Sequence, residues 1–425
     1  MTAPQDDDAA PPGGGARGAA AQLLDRRSVA AWVLYDFANS VYPAVITATV
    51  FSVYYATTIV GNDDGLGDLW WGRAVSLSML VVALSSPLLG AAADRSGARK
   101  KMLFFHTALC VGSVALLATV EPGMVLRGFL LVVLANIGFE GALVYYNSYL
   151  PDIAPPWRRG FVSGLGFATG YAGSVMGLLA ALVLVDRGRF DLTWLFVALF
   201  FAVFSLPAFL VLPGGRGSAG FFAALAEGAR RLGPLVAEVM ELKELSRFLA
   251  AFFVYIDGIN TIIYFTALFA ATTLGFAPSQ LIGLFLAVQL SALVGAAALA
   301  GPTDRWGPKA VITAILAVWT CVVLFAFFVR SRPLFFAVAV AAGAGLGAVQ
   351  SASRALMASL IPAGREARMF GFYALCGKSS SVVGPLLFGW ISHGLGGDQR
   401  TALLSVAAFF VAGLVLLQRV ETPPR

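Results

Sequence analysis

Gly90-Ala91-Ala92-Ala93-Asp94-Arg95-Ser96-Gly97-Ala98-Arg99-Lys100 sits between two long apolar runs, and a partial copy, Asp304-Arg305-Trp306-Gly307-Pro308-Lys309, sits in the same setting 210 residues later. An acid among bases with a glycine three residues on reads as a loop. The glycine turns the chain, and the carboxylate can accept N–H groups at a helix start. The copies extend outward. Pro151, Gly160-Phe161, Gly166 and Gly173 match Pro362, Gly371-Phe372, Gly377 and Gly384 at an offset of 211. Asp36-Phe37-Ala38-Asn39-Ser40 matches Asp257-Gly258-Ile259-Asn260-Thr261 at an offset of 221. The chain therefore contains a duplicated unit in parallel orientation. Such a duplication predicts two halves related by an axis along a membrane normal, with a site between them.

The composition supplies the membrane. Only 12% of the 425 residues are charged, against roughly 25% in soluble chains. No water-soluble core of this size hides that much apolar surface, which excludes a soluble enzyme and a disordered chain. Twelve apolar runs are each long enough to span: 28–58, 71–93, 102–120, 125–150, 160–185, 193–212, 247–274, 278–300, 310–329, 334–361, 369–393 and 401–419. The expected fold is all-α and integral to the membrane, with twelve helices in two pseudo-symmetric six-helix halves, 28–212 and 247–419. Residues 1–27 read as a disordered cytoplasmic tail, 213–246 as a cytoplasmic linker with short amphipathic helices, and 420–425 as a cytoplasmic tail. Of the 29 Lys and Arg, 20 fall on the side that holds both termini, 7 on the other side, and Arg354 and Lys378 within spans. That bias predicts both termini inside; the 330–332 loop argues against it. Cys110, Cys321 and Cys376 are scattered in apolar runs, which fits neither disulfides nor a metal site.

The loop motif resembles the signature between the second and third helices of the major facilitator superfamily. Other stretches are similar to its vacuole-effluxer-like branch, also called the unknown major facilitator family. They are Trp32-Val33-Leu34-Tyr35-Asp36-Phe37-Ala38-Asn39-Ser40, Tyr146-Asn147-Ser148-Tyr149-Leu150-Pro151, Ser163-Gly164-x-Gly166-x-x-x-Gly170-Tyr171, Asp257-Gly258, and Phe370 to Ser380. The resemblance runs from about residue 30 to 420. It implies a transporter of this fold, and amino-acid efflux as the activity of the branch's best-studied members. In that light Gly90, Asp94, Arg95, Gly97, Arg99, Asp304 and Arg305 form a latch between the halves on the cytoplasmic side. A drug-antiporter fifth helix carries Gly-Pro after its glycine repeat, whereas Gly173 is followed by Ser174.

Five ionisable residues lie deep in spans: Asp36, Glu140, Asp257, Arg354 and Lys378. Each costs several kcal/mol in hydrocarbon unless paired or wet, so each is a functional candidate. Counting from span ends at 1.5 Å per residue puts all five roughly 12–16 Å from the cytoplasmic face. Arg354 and Lys378 would hold a carboxylate; Asp36, Glu140 or Asp257 would hold an ammonium or take a proton. Asn39, Asn136, Asn147, Asn260, Gln289 and Gln350 would supply neutral hydrogen bonds. The alternative is structural ion pairing, for instance Glu140 with Arg354. His106, near a span end, reads as interfacial. Pro43, Pro87, Pro207 and Pro385 read as kinks. The chain has no nucleotide-binding loop, no metal-ligand cluster and no nucleophile–base motif, so the expectation is a non-enzyme that needs no cofactor. It would be a monomeric, proton-coupled secondary transporter of a small polar, amino-acid-like solute in a bacterial inner membrane, without a nucleic-acid partner. A sugar or lipid carrier of the same fold, or a non-transporting receptor or assembly protein, remain as alternatives. The topology has a direct check: a Gly220→Cys reporter in the linker should be labelled only from the cytoplasmic side. Labelling from outside an intact cell contradicts it.

Overall fold

The computed structural model describes residues 25–61, 66–215, 217, 219–230, 232–272, 274–276, 278–380, 391 and 399–422. Of the expected tail over 1–27, residues 1–24 lie outside the described residues, as do Gly384, Pro385, His393 and 423–425, whereas Arg26 and Arg27 already belong to the first helix. Hydrocarbon offers no water to backbone groups, so each span satisfies its own as a helix. The spanning helices are α1 (Arg26–Asn39, continued by turns at Pro43–Thr47, Val50–Tyr54 and Tyr55–Val60), α2 (Leu66–Ser96), α3 (Arg99–Leu117), α4 (Val125–Ser148), α5 (Arg159–Asp186) and α6 (Phe190–Val211). The second half holds α7 (Lys243–Thr272), α8 (Pro278–Trp306), α9 (Pro308–Ala326), α10 (Arg332–Leu360), α11 (Glu366–Ser380) and α12 (Gln399–Gln418). The first ten are long and apolar enough to cross a membrane; α12 adds a shorter apolar stretch, and the described part of α11 stops at Ser380. Two short helices, Phe221–Arg230 and Leu232–Glu241, lie between α6 and α7.

Local chemistry explains the helix ends. Asp25 caps α1, accepting from Arg27 N at 3.2 Å and Ser28 Oγ at 2.5 Å; the Ser28 bond lowers its pKa below the ordinary carboxylate value. At Pro43, which has no N–H to give, α1 passes into wide π-type turns. α2 and α6 run through Pro87 and Pro207 as continuous helix.

The loop motif differs from its sequence reading in a way that sharpens it. α2 and α8 extend to Ser96 and Trp306, so Asp94 and Asp304 stand on the last helical turn and not in a loop. The turn itself is made by Gly97 and Gly307, at φ +65° and +90°, a region open to glycine. Lys100 Nζ donates to the carbonyl of Leu212 at 2.8 Å, and Lys309 Nζ donates to that of Val420 at 2.7 Å. Each lysine thus binds the carbonyl end of the last helix in its half, where a cation is favoured. Lys309 therefore answers to Lys100 and not to Arg99, because the first turn is one residue longer.

A second register also shifts. Gly164 packs on the carbonyl of Ala296, and Gly371 on the carbonyl of Ser86. Ser86 and Ala296 are equivalent at the motif's offset of 210, so Gly371 answers to Gly164 at an offset of 207, not 211. Glycines repeating every four residues align equally well one helical turn away, and only the packing partner tells the registers apart.

We call the face carrying Asp94, Asp304 and the two short helices the basic face. The halves meet along α2–α11 and α5–α8. Their closest approaches lie near this face: a Cβ on Gly90 would meet the Ala367 carbonyl at 2.4 Å, and one on Gly160 would meet Thr303 at 2.6 Å. The opposite face has its own reason for the basic residues that weaken the charge bias. Arg332 Nε donates to the Leu274 carbonyl at 2.8 Å, and Arg400 donates to the Phe327 carbonyl at 3.2 Å.

α5 uses its small residues on two fronts. Gly160 and Gly164 face α8 across the half boundary, whereas Gly170, Gly173 and Gly177 let α1 approach. A Cβ on Gly173 would stand 2.1 Å from the Phe37 carbonyl, while Gly112 has nothing within 4 Å. Gly173→Ala should therefore cost roughly 1–3 kcal/mol, read as a lower thermal midpoint in detergent, and Gly112→Ala should match the parent. Equal midpoints for both variants would contradict this packing.

Candidate functional site

Between the halves lies a cavity of about 450 Å³, lined by residues of both. Along α1 it runs from Asp36 to Ala48, about 18 Å at 1.5 Å per residue, leading away from the basic face. On α10 its lining begins at Ala339 and ends at Arg354. Asp36, Asn147 and Arg354, the lining residues of α1, α4 and α10 nearest the basic face, form its floor.

The floor is built around Arg354, which is 3% exposed. Its Nη1 lies 3.1 Å from Asp36 Oδ2 and donates to Asn147 Oδ1 at 3.4 Å. Nε donates to Ser163 Oγ at 2.9 Å, and Nη2 to the Ser163 carbonyl at 2.7 Å. The guanidinium carbon lies 4.2 Å from the centre of the Phe167 ring, 4.5 Å from Trp32 and 5.6 Å from Tyr146. Trp32 stacks on Tyr146 and donates its Nε1–H to the Tyr146 carbonyl, so the ring walls are fixed before the arginine arrives. Every one of these partners belongs to the first half and Arg354 to the second.

A second pair borders the cavity. Lys378 Nζ on α11 lies 2.6 Å from Glu140 Oε1 on α4, with side chains 28% and 9% exposed. This pair also crosses the half boundary. The pairing of Glu140 with Arg354 weighed from sequence is not the one formed: Asp36 takes Arg354 and Glu140 takes Lys378. Arg354 is engaged by protein in this state, and Lys378, with a more exposed side chain, is the more accessible of the two cations that line the cavity among the described residues. Asn39 lines the cavity, and its buried Nδ2 has no partner among the described residues. Gln289 and Gln350 also line it, and Tyr171 Oη donates to Gln350 Oε1 at 3.2 Å.

Three expected members stand elsewhere. Asp257 is 1% exposed on α7 and does not line the cavity. Asn260, one turn on, does not line it either. A position along the sequence does not say which way a residue faces around the helix. Asn136 is a packing group, accepting from Tyr42 Oη at 2.7 Å. His106 is buried against its neighbours, with Nδ1 2.9 Å from the Met102 carbonyl and its ring filling the space over Gly141.

At the basic face, Asp94 accepts from Ala367 N at 3.1 Å and Arg368 N at 2.8 Å, the first turn of α11. Asp304 accepts from Phe161 N at 3.1 Å, the first turn of α5. Each acid thus caps the fifth helix of the opposite half. Arg99 gathers Asp152 at 2.8 Å, Glu366 at 3.7 Å and Asp94 at 4.0 Å. Arg95 reaches Glu227 of the first short helix at 2.8 Å, and Arg305 is exposed at the end of α8. Sequence reasoning missed Arg159, whose Nη1 donates to the Ala358 carbonyl at 2.8 Å across the boundary, and Glu238, which bridges Arg365 and Arg368. It also missed the walls around Arg354, although Trp32, Tyr146 and Ser163 stand in the stretches that carry the family resemblance.

Known proteins agree with this architecture. An uncharacterized MFS-type transporter of Bacillus subtilis, YxiO, is 28% identical over 400 residues, covering 91% of this chain and 93% of its own. Autophagy-related protein 22-1 of Penicillium rubens is 26% identical over 444 residues, covering 81% of this chain and 74% of its own. The solved structure of the human organic anion transporter MFSD10 superposes with a TM-score of 0.78 at 18% identity, covering 93% of this chain and all of that one. The family described as vacuole effluxer Atg22-like matches residues 73–423. The chain therefore belongs to the vacuole effluxer Atg22-like family and is a transporter of the major facilitator superfamily.

Proposed function

We propose that this transporter moves a small polar, amino-acid-like solute by alternating access, coupled to protons, in a bacterial cell membrane with its basic face and both termini in the cytoplasm. The observation that carries this reading is that two ion pairs among the described residues, Asp36–Arg354 and Glu140–Lys378, join one half to the other at the cavity. A pair placed so is broken and remade each time the halves rock, which ties charge to conformation. With the basic face shut and the cavity leading away from it, the state described is outward-facing.

Charges of both signs bordering one cavity suit a solute that carries both. Lys378 is placed to take a carboxylate, and Asn39 Nδ2 to add a hydrogen bond. When the solute engages Lys378, Glu140 loses its counter-charge, and a proton from the cavity water replaces it. Asp36, sealed beneath Arg354, is less suited to that exchange. The monomer is complete in this account, since each half supplies what the other lacks.

Purified protein in proteoliposomes, given a panel of amino acids with and without a pH gradient, tests the reading. The gradient should drive accumulation by the parent. Glu140→Gln should lose the response to the gradient and keep downhill exchange. Lys378→Gln should weaken the solute's affinity roughly 10- to 150-fold, the worth of a charged hydrogen bond at a largely desolvated site. A folded Glu140→Gln variant that still responds to the gradient as the parent does, or a folded Lys378→Gln variant with the parent's affinity, would contradict it.

A further inference from the structure

The groups around Arg354 form a receptor in their own right. All belong to the first half: Trp32 and Asp36 on α1, Tyr146 and Asn147 on α4, Ser163 and Phe167 on α5. Together they offer two ring faces with centres within 4.5 Å of the guanidinium carbon and, to its nitrogens, a carboxylate at 3.1 Å and a carbonyl and hydroxyl of one serine at 2.7 and 2.9 Å. Charge and π-faces of this kind recognise a cation. The space for it depends on a missing side chain. A Cβ on Gly166 would stand 2.8 Å from Arg354 Nη2, from Asp36 Oδ2 and from the Trp32 ring.

Arg354 rides on α10 of the second half, whereas every group of the socket belongs to the first, so parting of the halves at the basic face would withdraw it. Its withdrawal would leave behind a carboxylate that is 6% exposed here, walled by aromatic rings. Lys378 cannot serve both acids, since Glu140 holds it at 2.6 Å.

We propose that this socket is a cation subsite, filled by Arg354 in the closed state and by the guanidinium-type head of a transported solute when the basic face opens. The solute then replaces the protein's own arginine, so binding and opening are one exchange. This rests on the alternating-access reading above and names the cationic half of the solute that it moves.

The test uses ethylguanidinium with the full-length protein. Arg354→Ala empties the socket and should lower the thermal midpoint. Ethylguanidinium should raise the midpoint again in a saturable manner, with sodium at equal ionic strength without effect. Adding Trp32→Leu should weaken the apparent affinity roughly ten- to thirtyfold, and Gly166→Ala should abolish the rescue. If Arg354→Ala does not fold, a protein lacking its native cysteines and carrying Thr303→Cys gives a second readout. Thr303 is buried against Gly160 at the half boundary. Ethylguanidinium should speed its alkylation severalfold with Trp32 intact and not with Trp32→Leu. No saturable rescue of a folded variant, or an unchanged alkylation rate, overturns the proposal. So does full rescue of Arg354→Ala by acid alone, which would mean that a proton suffices. Neither readout needs transport. Failure here beside intact gradient-driven uptake removes the cation subsite only, whereas loss of gradient-driven uptake by the parent removes the reading beneath it.

Discussion

The ion pair between Arg354 and Asp36 is the constraint around which the closed structure is arranged. Both charges are almost wholly buried, and each is stable there only because the other half of the molecule supplies its partner. Such a pair is poor value as a stabiliser, since apolar side chains of similar size often hold a core as well or better. Its use is selectivity between states. Breaking it without replacement strands a charge at a cost of roughly 3–5 kcal/mol, enough to hold a two-state equilibrium firmly to one side.

The other cross-boundary contacts grade that preference. The caps from Asp94 and Asp304 follow the internal duplication, each acid holding the first turn of the opposite half's fifth helix. A cap is worth about 1 kcal/mol, weak enough to be lost and regained in the proposed alternating-access cycle. Gly90, Gly160 and Gly164 bring backbones close enough for the caps to form, which ties the motif's glycine to its acid. The short helices add a clasp: Glu227 holds Arg95 of the first half and Glu238 holds Arg365 and Arg368 of the second. No contact in this set has to be strong. They fail together because they share one boundary.

Much of this was legible in the chain. Apolar run length placed the ten long spanning helices, with ends that differ from the runs by up to six residues at α8, since a bilayer allows few other solutions; the far end of the eleventh run lies outside the described residues. The charge pattern picked out Asp36, Glu140, Arg354 and Lys378, because a charge in hydrocarbon needs a reason. Pairing was not legible: all four acids and bases stood at similar depth, and depth leaves the direction around each helix open. Asp257 shows the limit, matching Asp36 in motif and depth yet standing off the cavity. The offset in the fifth helices failed for a related reason, since a four-residue glycine repeat looks the same after one turn. Lys100 and Lys309 read as topology charges, and only the carbonyls of Leu212 and Val420 reveal their second task.

The central claim is that contacts across the half boundary at the basic face hold the molecule in the state described. A distance distribution between spin labels tests it most directly. Trp157, 61% exposed on the first half, and exposed Ala363 on the second flank that boundary and accept cysteine labels. The account predicts one dominant short distance for the parent. With Asp94→Ala and Asp304→Ala together, it predicts a second population at longer distance in a protein that remains folded. An unchanged, single short distance in that folded double variant would contradict it.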